Sequence, residues 1–308
     1  PWCAWVPGAV YHLYRRRRET SSLFLLLWIA VPLAFFSCAQ TKMPWYIITV
    51  YPFLAIAVGK FFHDWNLEGD GDVEIVVGAH VFDHSGNLLW AGGGGQAYQT
   101  QRNNQIVGGA ISVAADVDLD GRQEIVTGNT LYRWNGEVVW ERAEPDGYPA
   151  VLNADGDPQA EIVVVARGFV RLHDTDGSLL WGPIEMPGSD PESGGPPSVG
   201  DLDDDGLPEI VVAGSDILWA LRLDGTALWQ ASTRDYSSSQ TGAALFDFDG
   251  DGANEVVYRD ERRLRIYRGV DGEVLFEHVL SSTTMTEMPV VADVDRDGNA
   301  EIVVTSDH

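Results

Sequence analysis

Cysteine is almost absent from this chain: Cys3 and Cys38 are the only two in 308 residues, and both precede residue 60, so no disulfide can brace the rest. Basic residues are scarce as well. After residue 60, 14 Lys and Arg face 45 Asp and Glu, a net charge of −31, which excludes the basic stripe that nucleic-acid binding requires. The seven histidines are scattered, with His80 and His84 reading as solvated turn residues, and no Ser/His/Asp or Cys/His grouping stands out. Gly92 to Gly95 is followed by no Lys-Ser/Thr and opens no helix, so it reads as a flexible loop rather than a phosphate cradle. Asn-x-Ser/Thr acceptors are missing throughout. No catalytic residue is identified.

What the chain does have is an acidic loop used six times, with oxygen-bearing side chains at positions 1, 3, 5 and 9 and a bend residue at position 6. The copies are Asn66, Glu68, Asp70, Gly71, Glu74; Asp116, Asp118, Asp120, Gly121, Glu124; and Asn153, Asp155, Asp157, Pro158, Glu161. Then come Asp201, Asp203, Asp205, Gly206, Glu209; Asp247, Asp249, Asp251, Gly252, Glu255; and Asp293, Asp295, Asp297, Gly298, Glu301. Alternate side chains of a tight loop converge on its concave side, so positions 1, 3 and 5 can surround one cation, as in the first half of an EF-hand loop. Position 7 would offer a backbone carbonyl, and its side chain varies freely: Asp72, Arg122, Gln159, Leu207, Ala253, Asn299. An all-oxygen set with several carboxylates selects a hard cation, favours calcium over magnesium and disfavours zinc. The alternative is that Asp-Gly marks solvated hairpin turns. Two copies are weaker, because Pro158 cannot take the positive φ of a glycine and the first loop carries Asn66 and the longer Glu68.

The loops start at 66, 116, 153, 201, 247 and 293, a period that suits a four-stranded propeller blade. In the fifth copy the pattern predicts strands over 243–246, 256–258, 264–267 and 274–276. Blades end in Gly-x-x-x-Trp or a near relative: Gly86 to Trp90, Gly136 to Trp140, Gly177 to Trp181, Gly225 to Trp229 and Gly272 to Phe276. An aromatic at one fixed place per blade fills the wedge between neighbouring sheets. These repeats resemble FG-GAP/VCBS repeats, the calcium-loop blades of integrin α-type propellers, over about four fifths of the chain, and their ends resemble the tryptophan-docking motif of quinoprotein propellers. The resemblance implies an all-β propeller at 61–308 that binds Ca²⁺ through the positions above, with Glu where integrins usually have Asp at the ninth place. Five to six blades are visible, the first and last incomplete.

Residues 22 to 40 form an uncharged apolar stretch long enough to cross a bilayer, preceded by Arg15 to Arg18, which places the arginines inside. The stretch 45–59 is marginal in length and contains Pro52, which leaves spanning, tilting and re-entry open. Thr41-Lys42-Met43-Pro44-Trp45-Tyr46, with Tyr51-Pro52, resembles the late membrane segment of lipid-linked-sugar glycosyltransferases of the dolichyl-phosphate-mannose and aminoarabinose transferase type. That family's acidic catalytic motif has no counterpart here, since Glu19 is the only acid before residue 60. Opening on Pro1 rather than Met, the chain reads as a fragment.

The expectation is therefore a membrane segment at 1–60, with one or two helices, followed by a calcium-binding propeller. It would sit outside the cytoplasm as an adhesion or recognition scaffold for a protein or glycan. The alternatives are an appendage of a membrane glycosyltransferase and a polysaccharide-lyase-like propeller. Asp235-x-Ser237-x-Ser239 matches the metal motif of von Willebrand A domains, but it falls between blades.

Overall fold

The computed structural model describes residues 73–94, 100–102, 105–107, 111–188, 193–282 and 288–305. The expected membrane segment and the ligand positions Asn66, Glu68 and Asp70 lie outside them. The chain divides after Glu74, and every described strand belongs to the second unit, Ile75 to His308.

That unit is built from antiparallel sheets of one up-and-down design. The first sheet holds β1 (Ile75–Val77), β2 (His80–Phe82) and β3 (Leu88–Ala91), and a separate hairpin pairs β4 (Thr100–Arg102) with β5 (Gln105–Val107). Four-stranded sheets come next: β6 (Val113–Ala115), β7 (Glu124–Val126), β8 (Thr130–Tyr132), β9 (Val138–Glu141); and β10 (Tyr148–Leu152), β11 (Glu161–Ala166), β12 (Phe169–His173), β13 (Leu179–Glu185). The fourth comprises β14 (Ser198–Gly200), β15 (Glu209–Ala213), β16 (Ile217–Leu221) and β17 (Ala227–Ser232), and the fifth β18 (Ala244–Phe246), β19 (Glu255–Arg259), β20 (Arg263–Tyr267) and β21 (Val274–Val279). In the sixth, β22 (Val290–Ala292) pairs with β23 (Glu301–Val303).

The second strand of each complete sheet explains the packing. β11, β15 and β19 are buried at every residue, and their near-continuous β-branched runs are what a strand covered on both faces requires. Strand alternation then divides the work. Ile162 and Val164 of β11 face the second sheet beside Val126, Leu131 and Trp140, whereas Val163 and Val165 face the fourth beside Ile210 and Val212. One residue further round, Val211 and Ala213 of β15 turn to the fifth sheet, against Val256 and Tyr258. First strands of successive sheets lie side by side, β6 by β10, β10 by β14, β14 by β18 and β18 by β22.

The Gly-x-x-x-Trp motif works across the joint between sheets. The indole N–H of Trp90 donates to Trp134 O (2.9 Å), that of Trp140 to Thr175 O (3.0 Å), that of Trp181 to Leu223 O (2.7 Å) and that of Trp229 to Gly269 O (2.5 Å). Each acceptor lies in the turn between the third and fourth strands of the next sheet, and the glycine of that turn lies under the ring. At Gly272, with φ +72°, a Cβ would come within 2.7 Å of the Trp229 ring. The glycine and the tryptophan of one motif therefore serve opposite neighbours. Phe276 stands at the equivalent place in the fifth sheet and is 46 % exposed.

Two local readings are corrected. His80 is a strand residue of β2 rather than a turn residue, although it is exposed as expected. Gly92 and Gly94 do not form a free loop: a Cβ on Gly92 would strike the Tyr132 ring at 2.6 Å, and the Gly94 N–H donates to Tyr132 Oη (2.8 Å).

Truncating Trp229 to alanine should lower unfolding stability by about 3–5 kcal/mol, by lost burial and a residual cavity. Gly272→Ala should lose more than Gly86→Ala. Both carry positive φ, worth about 1–2 kcal/mol to an L-residue, but a Cβ at Gly86 meets nothing within 4 Å. Urea melts of the three variants measure this; equal losses for the two glycine variants would refute the ring contact.

Candidate metal centre

Every acidic loop in the described residues joins the first strand of a sheet to its second. Each is held by backbone bonds that aim its carboxylates inward. The position-2 N–H donates to the Glu at position 9: Val117 to Glu124 (3.1 Å), Leu202 to Glu209 (2.8 Å), Phe248 to Glu255 (2.9 Å), Val294 to Glu301 (2.9 Å), and Ala154 to Glu161. The glycine at position 6 donates to the position-1 aspartate at 2.9–3.2 Å, through Gly121, Gly206, Gly252 and Gly298. Pro158 has no N–H, and in that loop Asn153 instead turns its Nδ2 onto Asp157 O (2.6 Å) and Gln159 O (3.3 Å). The carbonyl expected to face a cation there is bonded to a side-chain donor.

Position 4 is a functional feature that the spacing did not reveal. Its backbone is left-handed in all five described loops, at Leu119 (φ 61°), Gly156 (87°), Asp204 (59°), Gly250 (78°) and Arg296 (67°). Three of these are not glycine, so no sequence signal marked them. This residue curls the chain so that three of the acids at positions 1, 3, 5 and 9 converge in each loop, those at 1, 3 and 5 in the fifth and sixth sheets.

The resulting clusters place one carboxylate oxygen from each member within 4.8 Å of the others. They are Asp116, Asp118 and Glu124; Asp155, Asp157 and Glu161; Asp201, Asp203 and Glu209; Asp247, Asp249 and Asp251; and Asp293, Asp295 and Asp297. Asp120 and Asp205 fall outside these tight sets, as do Glu255 and Glu301. Glu74 of the first loop is among the described residues, but the rest of its cage is not.

Electrostatics make these loops expensive without a counter-charge. Glu124, Glu161, Glu209 and Glu255 are all buried. Burial first, then the neighbouring aspartates, push Glu124 and Glu209 up to about 7, and shift Glu161 and Glu255 in the same direction. Glu124 Oε1, Glu161 Oε1 and Asp203 Oδ1 are buried oxygens with no hydrogen-bond partner. A hard cation would satisfy them, so the residues present fit a calcium ion. In the second sheet an internal cation stands close: Arg133 Nη1 lies 3.6 Å from Asp118 Oδ2 and 3.8 Å from Asp120 Oδ2.

Neighbouring loops are tied directly. Asn254, in the fifth-sheet loop, donates its backbone N–H and its Nδ2 to Asp201 O (both 2.8 Å), and Ala160 N–H donates to Val117 O (3.0 Å). Asp235 of the Asp-x-Ser-x-Ser segment is built into a crossover, with Ser239 Oγ donating to its carbonyl oxygen (2.9 Å). It is buried, and its oxygens accept from Ser238 Oγ (3.1 and 3.0 Å), Ser238 N–H and Thr241 N–H (both 3.3 Å), shaping the crossover into the fifth sheet.

Comparison with known proteins adds to this geometry. Residues 247–304 match the model of the FG-GAP-like repeat family. The described fold is similar to the crystal structure of the V. cholerae biofilm matrix protein Bap1 (TM-score 0.60, 18 % identity), covering 78 % of this chain and 64 % of that one. The chain is also 39 % identical over 82 residues to an undecaprenyl phosphate-alpha-4-amino-4-deoxy-L-arabinose arabinosyl transferase of Erwinia tasmaniensis, covering 26 % of this chain and 14 % of that enzyme. A Pseudomonas fluorescens transferase of the same description is 42 % identical over 60 residues, covering 20 % and 11 %. The aminoarabinose-transferase resemblance is thereby supported, although the chain spans only a small part of those enzymes' length. Among the described residues no helix is long and apolar enough to cross a membrane.

The upward shifts set a pH dependence. A carboxyl whose folded pKa is raised binds its proton more tightly when folded, so stability without metal should fall as pH rises from the ordinary 4.5 to about 7. Added Ca²⁺ needs the ionised form, so the gap between melting temperatures in Ca²⁺ and in chelator should widen over the same window. Calorimetric scans across that range test both, and a pH-independent gap would contradict the raised carboxyls.

Proposed function

We propose that the unit from residue 61 onward is a calcium-stapled β-propeller, its sheets forming blades, that acts as an extracytoplasmic recognition scaffold for a protein or glycan. The observation that carries this reading is the recurrence of the same carboxylate cluster between the first and second strands of consecutive sheets, with buried oxygens left unsatisfied in several of them. Side chains at positions 1, 3 and 5 would hold the ion, the position-9 glutamate would bind it or lock the loop around it, and the position-7 carbonyl would complete the shell. When bound, the ion supplies positive charge that offsets carboxylate repulsion and pins two strands at a common point.

A scaffold of this kind needs rigidity rather than catalysis. The outer strands and turns are then free to vary for recognition, while ions and docked tryptophans fix the frame. Calcium supply favours extracytoplasmic placement, since loops of extracellular type bind with dissociation constants of about 10⁻⁴ to 10⁻³ M, concentrations of free calcium that the cytoplasm does not supply.

The similarity to lipid-linked-sugar transferases supports a second reading. Here the propeller is carried by a membrane enzyme of that class, with residues 20–60 as the tether and its recognition surface near the lipid-linked substrate. On this reading too, catalysis belongs to the membrane part.

Isothermal titration of chelated protein should show Ca²⁺ uptake at several sites. At a hundredfold excess over the dissociation constant each ion adds about 2.7 kcal/mol, so excess chelator should lower the melting temperature sharply. Asp201→Asn together with Asp203→Asn should remove one site and part of the shift. No heat of binding and an unchanged melt would defeat the calcium reading. Separately, protease protection of the repeats in sealed vesicles of known orientation reports sidedness, and cleavage only from the cytoplasmic face would defeat the extracytoplasmic placement.

A further inference from the structure

One buried ionisable pair lies at a joint between sheets and belongs to no acidic loop. The third-strand residue opposite the first apolar residue of the second strand is Tyr132 in the second sheet, Leu221 in the fourth and Tyr267 in the fifth. Trp90 packs on Tyr132 and Trp229 on Tyr267 (ring centroids 5.5 and 5.9 Å). In the third sheet that place is taken by His173, opposite Ile162, with the Trp140 ring at 5.7 Å.

His173 is 1 % exposed and Arg171 beside it 2 %. Arg171 Nε donates to His173 Nε2 at 3.0 Å, so that nitrogen must carry its lone pair; the proton then sits on Nδ1, which donates to Gly177 O at 3.2 Å. The imidazole is therefore neutral, in one tautomer. Arg171 Nη2 meanwhile donates to Gly128 O and Pro145 O, both at 2.8 Å. Gly128 lies in the turn of the second sheet and Pro145 in the connection leaving it. The guanidinium thus clasps the second sheet from the third, and the histidine holds the guanidinium in place.

We propose that the contact between the second and third sheets is an acid-released joint with His173 as its trigger. A proton arriving at Nε2 abolishes the acceptor for Arg171 and sets two cations against one another in a water-free site. Of the charged groups facing the ring, Arg171 and Arg142 oppose an imidazolium and Glu144 favours one; the Trp140 face would favour it modestly. Burial and Arg171 dominate and hold the imidazole below its ordinary 6.5. For a histidine with a depressed folded pKa, the stabilising contribution is complete above 6.5 and is lost as pH falls below it. The opposite sign holds for the buried glutamates only without metal, since Ca²⁺ competes with their protons; the share due to His173 is therefore read as the difference between unaltered protein and variant at one Ca²⁺ concentration.

The test uses the full chain in saturating Ca²⁺, with His173→Gln, which keeps an acceptor for Arg171 Nε, and His173→Tyr, the residue of the second and fifth sheets. From about pH 7.5 to about pH 5 the melting temperature of the unaltered protein should fall by several degrees more than that of either variant. In ¹⁵N spectra of the imidazoles, the His173 ring should remain in the neutral Nδ1–H form below pH 6.5, where a free imidazole is mostly protonated. Equal acid losses for unaltered protein and His173→Gln would overturn the proposal, as would a His173 ring half-protonated at pH 6.5 or above. Should both variants fail to fold, the spectrum of the unaltered protein alone decides.

Discussion

Repulsion among carboxylates crowded into a short turn is the constraint on which this molecule depends. In each described repeat the connection from first to second strand gathers several acids and buries the oxygens of some. Left alone, such a turn opposes the strand pairing it must initiate. The chain moderates this locally, by donating backbone N–H groups to the acids and, in the second sheet, by placing Arg133 beside Asp118 and Asp120. Those devices lessen the field without cancelling it, since the buried glutamates still sit well above ordinary carboxyl values.

Against this electrostatic load stands the apolar packing of the second strands, which alternates in β11 and β15. β11 and β15 each serve two neighbours, one with even-numbered side chains and one with odd. A sheet in the middle of the series cannot be removed without exposing both. Tryptophan docking adds direction to these contacts: each indole reaches forward to the next sheet and each turn glycine receives from the preceding one. The order of sheets is therefore specified by side chains as well as by chain connectivity.

Much of this was legible in the sequence because its determinants are periodic. The strands expected in the fifth repeat are found at Ala244–Phe246, Glu255–Arg259, Arg263–Tyr267 and Val274–Val279, since loop, glycine turn and tryptophan recur in fixed order. Features that no residue type announces escaped, whether shared by the loops or particular to one copy. The left-handed backbone at Leu119, Asp204 and Arg296 carries no glycine to announce it. His173 occupies a site that other sheets give to tyrosine or leucine, and its meaning depends on Arg171, two residues away on the same strand. The Asp235 carboxylate accepts from Ser238 and Thr241, which lie outside the motif positions, while Ser239 of the motif donates to its backbone carbonyl. Tertiary context settled these, and repetition could not.

The peptide links between neighbouring turns have a consequence for how the loops fill. Asn254 grips Asp201 O, and Ala160 grips Val117 O, so ordering one turn fixes an end of the adjacent one. Part of the entropic penalty of organising the second site is already met once the first is organised. Occupancy would then be coupled within the linked pairs, the second loop with the third and the fourth with the fifth, whereas Pro208, at the equivalent place in the fourth loop, has no N–H to link it to the third.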